Sequence, residues 1–362
     1  LIRRIEPGPN PELEFARLLT GRSFPNSAPL VGNIDLRGDD KQLYTAAIAT
    51  ARISNTRSGW DLTIDSLGRF FERILAHPSN PPVFGMDFLC LARREPDPKT
   101  GEILGAFMES VRLIGQRTGE LHLLCASASE NKDFEPEMFV PFSQRSLFQS
   151  LRNQTLRGLE QLREALPDLP PDDQRRAENV LSCERGILDI LKGISDVPLG
   201  SQRIRIHGHL HLGQLLHTGK DFVFIDFEGE TERSFGERRI KRSPLRDVAG
   251  MLRSFHYAVD VALEKELPKQ NRPDRREQLE SWGRFWWEWA AATYLRAYED
   301  AVAGSKLLPQ EAKGLRVLLT SLLLENAFTE LSLCLSNKTG KQAVPLQGIL
   351  DIVERDTEHA KL

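Results

Sequence analysis

Apolar residues recur at three- and four-residue spacing along most of the chain after residue 60. Asp61–Leu75 sets Leu62, Ile64, Leu67, Phe70, Phe71 and Ile74 on one side, the stripe of a helix packed against a core. Similar spacing predicts helices over 103–127, 146–166, 173–191, 275–300 and 309–335. The run Pro167–Asp172 separates two of these and makes 146–166 and 173–191 an antiparallel pair. A helix over Glu12–Leu19 is announced by Asn10, a natural N-cap, and by Pro11 at the first helical position. Strand patterns are fewer: Pro29–Val31, Tyr44–Ala51, and three short runs at Arg203–Ile206, Leu215–His217 and Phe222–Ile225. Residues 78–101 are proline-rich and read as a loop or insert. The mixture predicts an α+β protein that is mostly helical.

The last two runs flank Thr218-Gly219-Lys220-Asp221, a turn sequence, so they are expected to pair antiparallel with His217 opposite Phe222. Counting back places Gln214 beside Asp226 at the mouth of the hairpin, with the loop His207–Gly213 curling over them. An amide oxygen and a carboxylate held together suit magnesium, which takes oxygen ligands, keeps several waters and shares substrate phosphates. Protein kinases build such a site from a loop H-x-D-x-x-x-x-N and a later D-F-G. Here His207, Gln214 and Asp226-Phe227-Glu228 stand at the matching spacings. Spacing alone therefore gives a magnesium–phosphate site.

The chain has 362 residues, a net charge of −3, 27 % charged and 40 % hydrophobic residues. These are globular proportions, with room for two domains of about 150 residues. The near-neutral balance argues against a nucleic-acid or membrane-surface role. Cys90, Cys125, Cys183 and Cys334 lack metal spacing and read as thiols of a reducing, cytoplasmic compartment. No apolar run suggests a membrane span, and no signal peptide opens the chain. The opening Leu1-Ile2-Arg3-Arg4 looks like the inside of a strand and suggests a fragment of a longer protein.

His207-Gly208-His209-Leu210-His211-Leu212-Gly213-Gln214, then Ile225–Glu230, then Glu237-Arg238-Arg239, then Ser243–Ala258 together resemble the maltokinase family. The likeness is greatest to the type fused behind bacterial trehalose synthase, and segments such as Glu6–Thr20, Gly59–Glu72 and Phe139–Asn153 share it. The resemblance implies a protein-kinase-like two-lobe fold: a truncated nucleotide lobe over 1–58, and a mostly helical lobe over 59–362 that carries the catalytic hairpin 204–230. It implies transfer of the γ-phosphate of ATP, with Mg2+, to the anomeric hydroxyl of maltose or a related small glucan. A fused or associated trehalose synthase is the expected partner.

On this reading Gln214 and Asp226 hold the metal, His207 braces the loop, and Glu14 is the helix acid that pairs with a strand lysine. Asn55, in the hinge Arg52–Trp60, is the second nucleotide-side candidate. Two departures stand out. His209 occupies the place of the Asp expected to serve as base, leaving His209 or His211 to take the acceptor proton. Leu333-Cys334, Asn337-Lys338-Thr339 and Lys341 replace the segment with which the family contacts maltose. A catalytically weak or inactive kinase-like module, acting as a structural or glucan-docking partner of the fused synthase, is therefore the alternative. A transition-metal site on His207, His209 and His211 is a further rival. Ser243 is expected to cap a helix, with Asp247 as a capping-box acid or a clamp on the histidine loop. Trp282, Phe285, Trp286 and Trp289 form one helical stripe, a core face rather than a sugar platform.

Overall fold

The structure, a computed structural model, describes residues 6–39, 41–54, 57–76, 81, 88–230, 233–267 and 273–359. The chain divides into two compact units. One comprises the residues up to Pro136 together with Ile204–Ser305; the other comprises Glu137–Arg203 and the residues from Lys306 onward.

The first unit holds the histidine loop. Its opening helix, Pro11–Gly21, starts as the sequence implies, with the Asn10 side chain accepting from the Leu13 N–H. Leu30–Arg37 and Leu43–Thr50 form an antiparallel hairpin, longer than the strand patterns suggested. A three-stranded sheet orders Arg57–Ser58, Leu215–His217 and Phe222–Phe224 side by side. Around it lie the helices Gly59–Ala76, Phe107–Ser127, Leu245–Glu266 and Pro273–Ala301, with short helices at Phe88–Leu91, Pro98–Leu104 and Phe235–Arg238. The Phe107–Ser127 helix begins four residues later than periodicity suggests, because Gly105, at φ +77°, ends the preceding helix.

Phe107–Ser127 and Pro273–Ala301 cross closely. A Cβ on Gly115 would lie 2.3 Å from the Tyr294 carbonyl oxygen, and one on Gly119 would lie 2.6 Å from the Ala301 Cβ. Only glycine permits that approach. The aromatic stripe of the second helix is core: Trp282, Phe285, Trp286 and Trp289 are all buried, with Trp282 edge-on to Phe70 and Trp286 edge-on to Phe255.

The second unit is helical, apart from a short pairing of Glu137–Met138 with Gln202–Arg203. Its helices are Pro141–Ala165, Pro171–Ser182, Glu184–Asp196, Ala312–Ser336 and Ala343–His359. The single helix expected over 173–191 is split at Cys183, and the last helix was not anticipated. Phe328 packs on Gly158, where a Cβ would come within 2.8 Å of its ring. Contrary to the sequence reading, one helix, Ala312–Ser336, is long and apolar enough to cross a membrane by length and composition, with over half of its most apolar stretch buried in the protein. The four cysteines are free thiols.

Candidate active site

The hairpin register follows from its turn. Leu215 pairs with Phe224, Leu216 with Val223 and His217 with Phe222. Thr218 closes the turn by accepting from the Asp221 N–H and donating to the Asp221 carbonyl. One further bond, from the Ile225 N–H to the Gln214 carbonyl at 3.0 Å, extends the ladder to the mouth. The Gln214 side-chain amide then donates to Asp226 Oδ2 at 2.7 Å. Asp226 has φ +65°, a left-handed conformation that Asp and Asn adopt more readily than other side chains. The backbone therefore turns sharply at the residue that carries the carboxylate.

The three histidines take three different places. His207 is buried; its Nε2 bonds the Ile225 carbonyl at 2.9 Å, and its ring lies 4.8 Å from that of Phe227. Burial pushes its pKa below the ordinary value, against the pull of Asp247, so the ring is neutral and donates through Nε2. It ties the histidine loop to Ile225, between the Phe222–Phe224 strand and Asp226. His211 is part-buried, and its Nδ1 accepts the Gly213 N–H at 3.0 Å. Burial, then the neighbouring His209 and His207, push it down to about 4. With Nδ1 engaged, His211 has little capacity to take a proton. His209 is exposed, makes no hydrogen bond among the described residues, and lies edge-on to His211 with ring centroids 5.0 Å apart. The shared transition-metal site does not form: His207 is turned inward, and among the described residues no group of three His, Cys, Asp or Glu side chains is placed to hold a metal.

Gly208, at φ +83°, and Gly229, at φ +75°, bring the loop against the turn after Phe227. A Cβ on Gly208 would sit 3.6 Å from the Gly229 Cα. Asp247 fixes the loop from below, accepting the His207 N–H at 2.8 Å and the Gly208 N–H at 2.9 Å. It is therefore the clamp and not the capping acid. Ser243 is not the N-cap either: the helix starts at Leu245 behind Pro244 with no side-chain cap, and Ser243 accepts the Leu245 N–H at 3.3 Å from one residue further back.

Glu14 is held by two guanidinium groups: Arg239 at 2.8 and 2.9 Å, and the fully buried Arg205 at 3.1 Å. Arg205 is sandwiched between the rings of Phe15 and Phe134, with its guanidinium carbon 5.2 and 4.8 Å from the centroids. Glu12, two residues earlier and so about 200° around the helix, faces the other way. Its carboxyl is pushed up to about 7 by burial, then by the charges of Asp226 and Glu228. Glu228 is raised as well, by burial and Asp226, with Arg238 and His209 pulling it down. Sequence reasoning chose Glu14 and missed Glu12 and Glu228; the E-x-E spacing was the available signal. Asn55 lies outside the described residues.

A carboxylate beside an amide, with the charge of Glu12 and Glu228 felt at Asp226, suits a hard divalent cation that keeps sites for water and phosphate. Asp226 and Gln214 would thus be the pair to hold magnesium, one through a carboxylate and the other through its amide oxygen.

No protein-family description matches the chain. Solved structures do share its fold. Glucosamine kinase in one crystal form superposes with a TM-score of 0.66 at 19 % identity, over 96 % of this chain and 70 % of that one. Glucosamine kinase in complex with glucosamine, ADP and inorganic phosphate gives 0.65 at 20 % identity, over 96 % and 69 %. A second crystal form gives 0.65 at 18 % identity, over 96 % and 68 %. The α+β architecture is thus that of these sugar-kinase structures.

Proposed function

We propose that this chain is the catalytic part of an ATP-dependent sugar kinase that phosphorylates the anomeric hydroxyl of maltose or a related small glucan. One observation carries the reading: Gln214 and Asp226 meet at 2.7 Å at the mouth of a hairpin, in a fold shared with a kinase that binds glucosamine, ADP and phosphate. Residues up to 58 would serve the nucleotide and residues from 59 the acceptor, and the reaction would be cytoplasmic.

Asp226 and Gln214 would hold magnesium, which would neutralise charge on the transferring phosphoryl group. Glu12 and Glu228 keep the local field negative and so favour that ion. His207 braces the loop through Ile225 and takes no part in proton transfer. His209 would activate the acceptor: its imidazole would take the hydroxyl proton as the sugar oxygen bonds the γ-phosphorus and the bond to the β–γ bridging oxygen breaks. Positioning and charge do most of the work in this chemistry. The exchange of a carboxylate for imidazole costs on the order of 10²–10⁴ in rate where general-base catalysis matters.

A second reading is favoured by His209 itself, an exposed imidazole in place of an acid. In it the chain is a weak or inactive kinase-like module that serves a fused trehalose synthase as a structural or glucan-docking partner. Phosphorus NMR with ATP, magnesium and either maltose or glucosamine separates the two, with His209→Asp run in parallel. Sugar phosphate from the wild type supports the kinase, and the sugar used gives its substrate. Product from the variant alone means an intact site that is disarmed. No product from either supports the docking module.

A further inference from the structure

Beneath the histidine loop a buried polar chain joins three helices. Tyr298, from Pro273–Ala301, meets His122 Nδ1 at 3.0 Å, and His122 Nε2, from Phe107–Ser127, meets Asp247 Oδ2 at 3.1 Å. Asp247, from Leu245–Glu266, passes the connection to the His207 and Gly208 N–H groups. Tyr298 and His122 are fully buried, and Asp247 is 1 % exposed.

The chemistry of the partners assigns the protons. A carboxylate only accepts, so His122 Nε2 carries hydrogen and donates to Asp247. Burial, then Tyr294 and Asp247, raise the Tyr298 phenol well above its ordinary value, so it stays protonated and donates to Nδ1. Burial alone would raise Asp247, but the bond from His122 and the Gly208 N–H hold it below its ordinary range. The carboxylate thus has three donors in fixed directions. Two of them are the amides that hold Gly208 at φ +83°, one residue before His209. Without His122, Asp247 is free to rotate about its last torsion and surrender one amide.

We propose that His122 is a positioning residue: through Asp247 it fixes the Gly208 turn and so the place from which His209 meets the acceptor, and Tyr298 fixes the tautomer of His122. The activity arm of the test rests on the sugar-kinase reading; the spectroscopic arm does not. The variants are His122→Leu, which removes both ring nitrogens, His122→Gln, whose amide can donate where Nε2 does, and Tyr298→Phe. Amide-proton shifts of His207 and Gly208 are read by NMR, beside kcat and the KM for ATP. In His122→Leu both amide protons should move upfield as their bonds to the carboxylate weaken. The kcat should fall about 10- to 100-fold, as when an outer partner of a site ligand is lost, with KM for ATP unchanged. His122→Gln should recover most of both signals. Tyr298→Phe should move the same amides by less, and it covers the case in which His122→Leu does not fold. Unmoved amides in Tyr298→Phe and in a folded His122→Leu overturn the proposal. So does a loss of kcat that follows only the melting temperature and that His122→Gln does not restore. If the wild type makes no sugar phosphate, the kinase reading fails by itself and the amide shifts still decide the role of His122.

Discussion

Glu12 and Glu14 stand two residues apart on one helix, and their surroundings are opposite. Glu14 is wrapped by Arg205 and Arg239, and Arg239 also reaches Asp133 at 3.0 Å. Glu12 is part-buried and feels the charges of Asp226 and Glu228, and burial first and those charges second raise its pKa to about 7. The first cluster is balanced and closed. The second is left with excess negative charge, which costs stability unless a cation or proton joins it. Groups that serve the fold are neutralised by the chain; groups that serve a ligand wait for it.

The contrast can be broken at either cluster. The largest effect is expected for Asp226→Asn, which keeps the left-handed backbone yet removes the metal-facing charge: sugar phosphorylation should fall at least about 10²–10³-fold, while the melting temperature holds or rises. A variant with near wild-type turnover would remove Asp226 from the site. Next is Glu14→Gln, which strands the buried Arg205 and should cost about 3 kcal/mol in urea unfolding. Glu12→Gln in the same assay should cost nothing or stabilise, and equal losses in the two would erase the distinction. Third, millimolar magnesium should raise the melting temperature of the wild type, since a ligand of the folded state stabilises it by mass action, and should do so little in Asp226→Asn. The smallest effect is a pH dependence in metal-free buffer. Glu12 has a folded pKa of about 7 against an ordinary 4.5, so the folded state binds the extra proton and gains stability that is complete below 4.5 and lost as pH rises through 7. Glu12→Gln should therefore match the wild type at pH 4.5 and exceed it in melting temperature at pH 8. A constant difference across that window would show that Glu12 does not titrate there.

What the sequence disclosed was local. Asn10 and Pro11 mark a helix start because capping needs only three consecutive peptide groups. Thr218–Asp221 sets the hairpin register, and register alone brings Gln214 to Asp226. What it concealed depends on partners far along the chain. Asp247 lies three residues into its helix and four after Ser243, close to a capping spacing, yet its oxygens are claimed by residues 39 and 40 positions earlier. The choice between Glu12 and Glu14 is a matter of helix phase, and both sides of that helix meet protein, one at Arg239 and the other toward Asp226. The break at Cys183 hides because apolar spacing continues across it in Ile187 and Leu191.

The crossing at Gly115 and Gly119 bears on how such a molecule can change over generations. At those two positions any side chain collides with the facing helix, at 2.3 and 2.6 Å for a bare Cβ, so inheritance there is nearly frozen. Position 209 is exposed and makes no hydrogen bond among the described residues, so almost any residue can be accommodated. The architecture is thus most conservative where no reaction takes place and most permissive where the acceptor proton would go. A lineage could exchange or lose its chemistry at that one loop position and keep the scaffold intact.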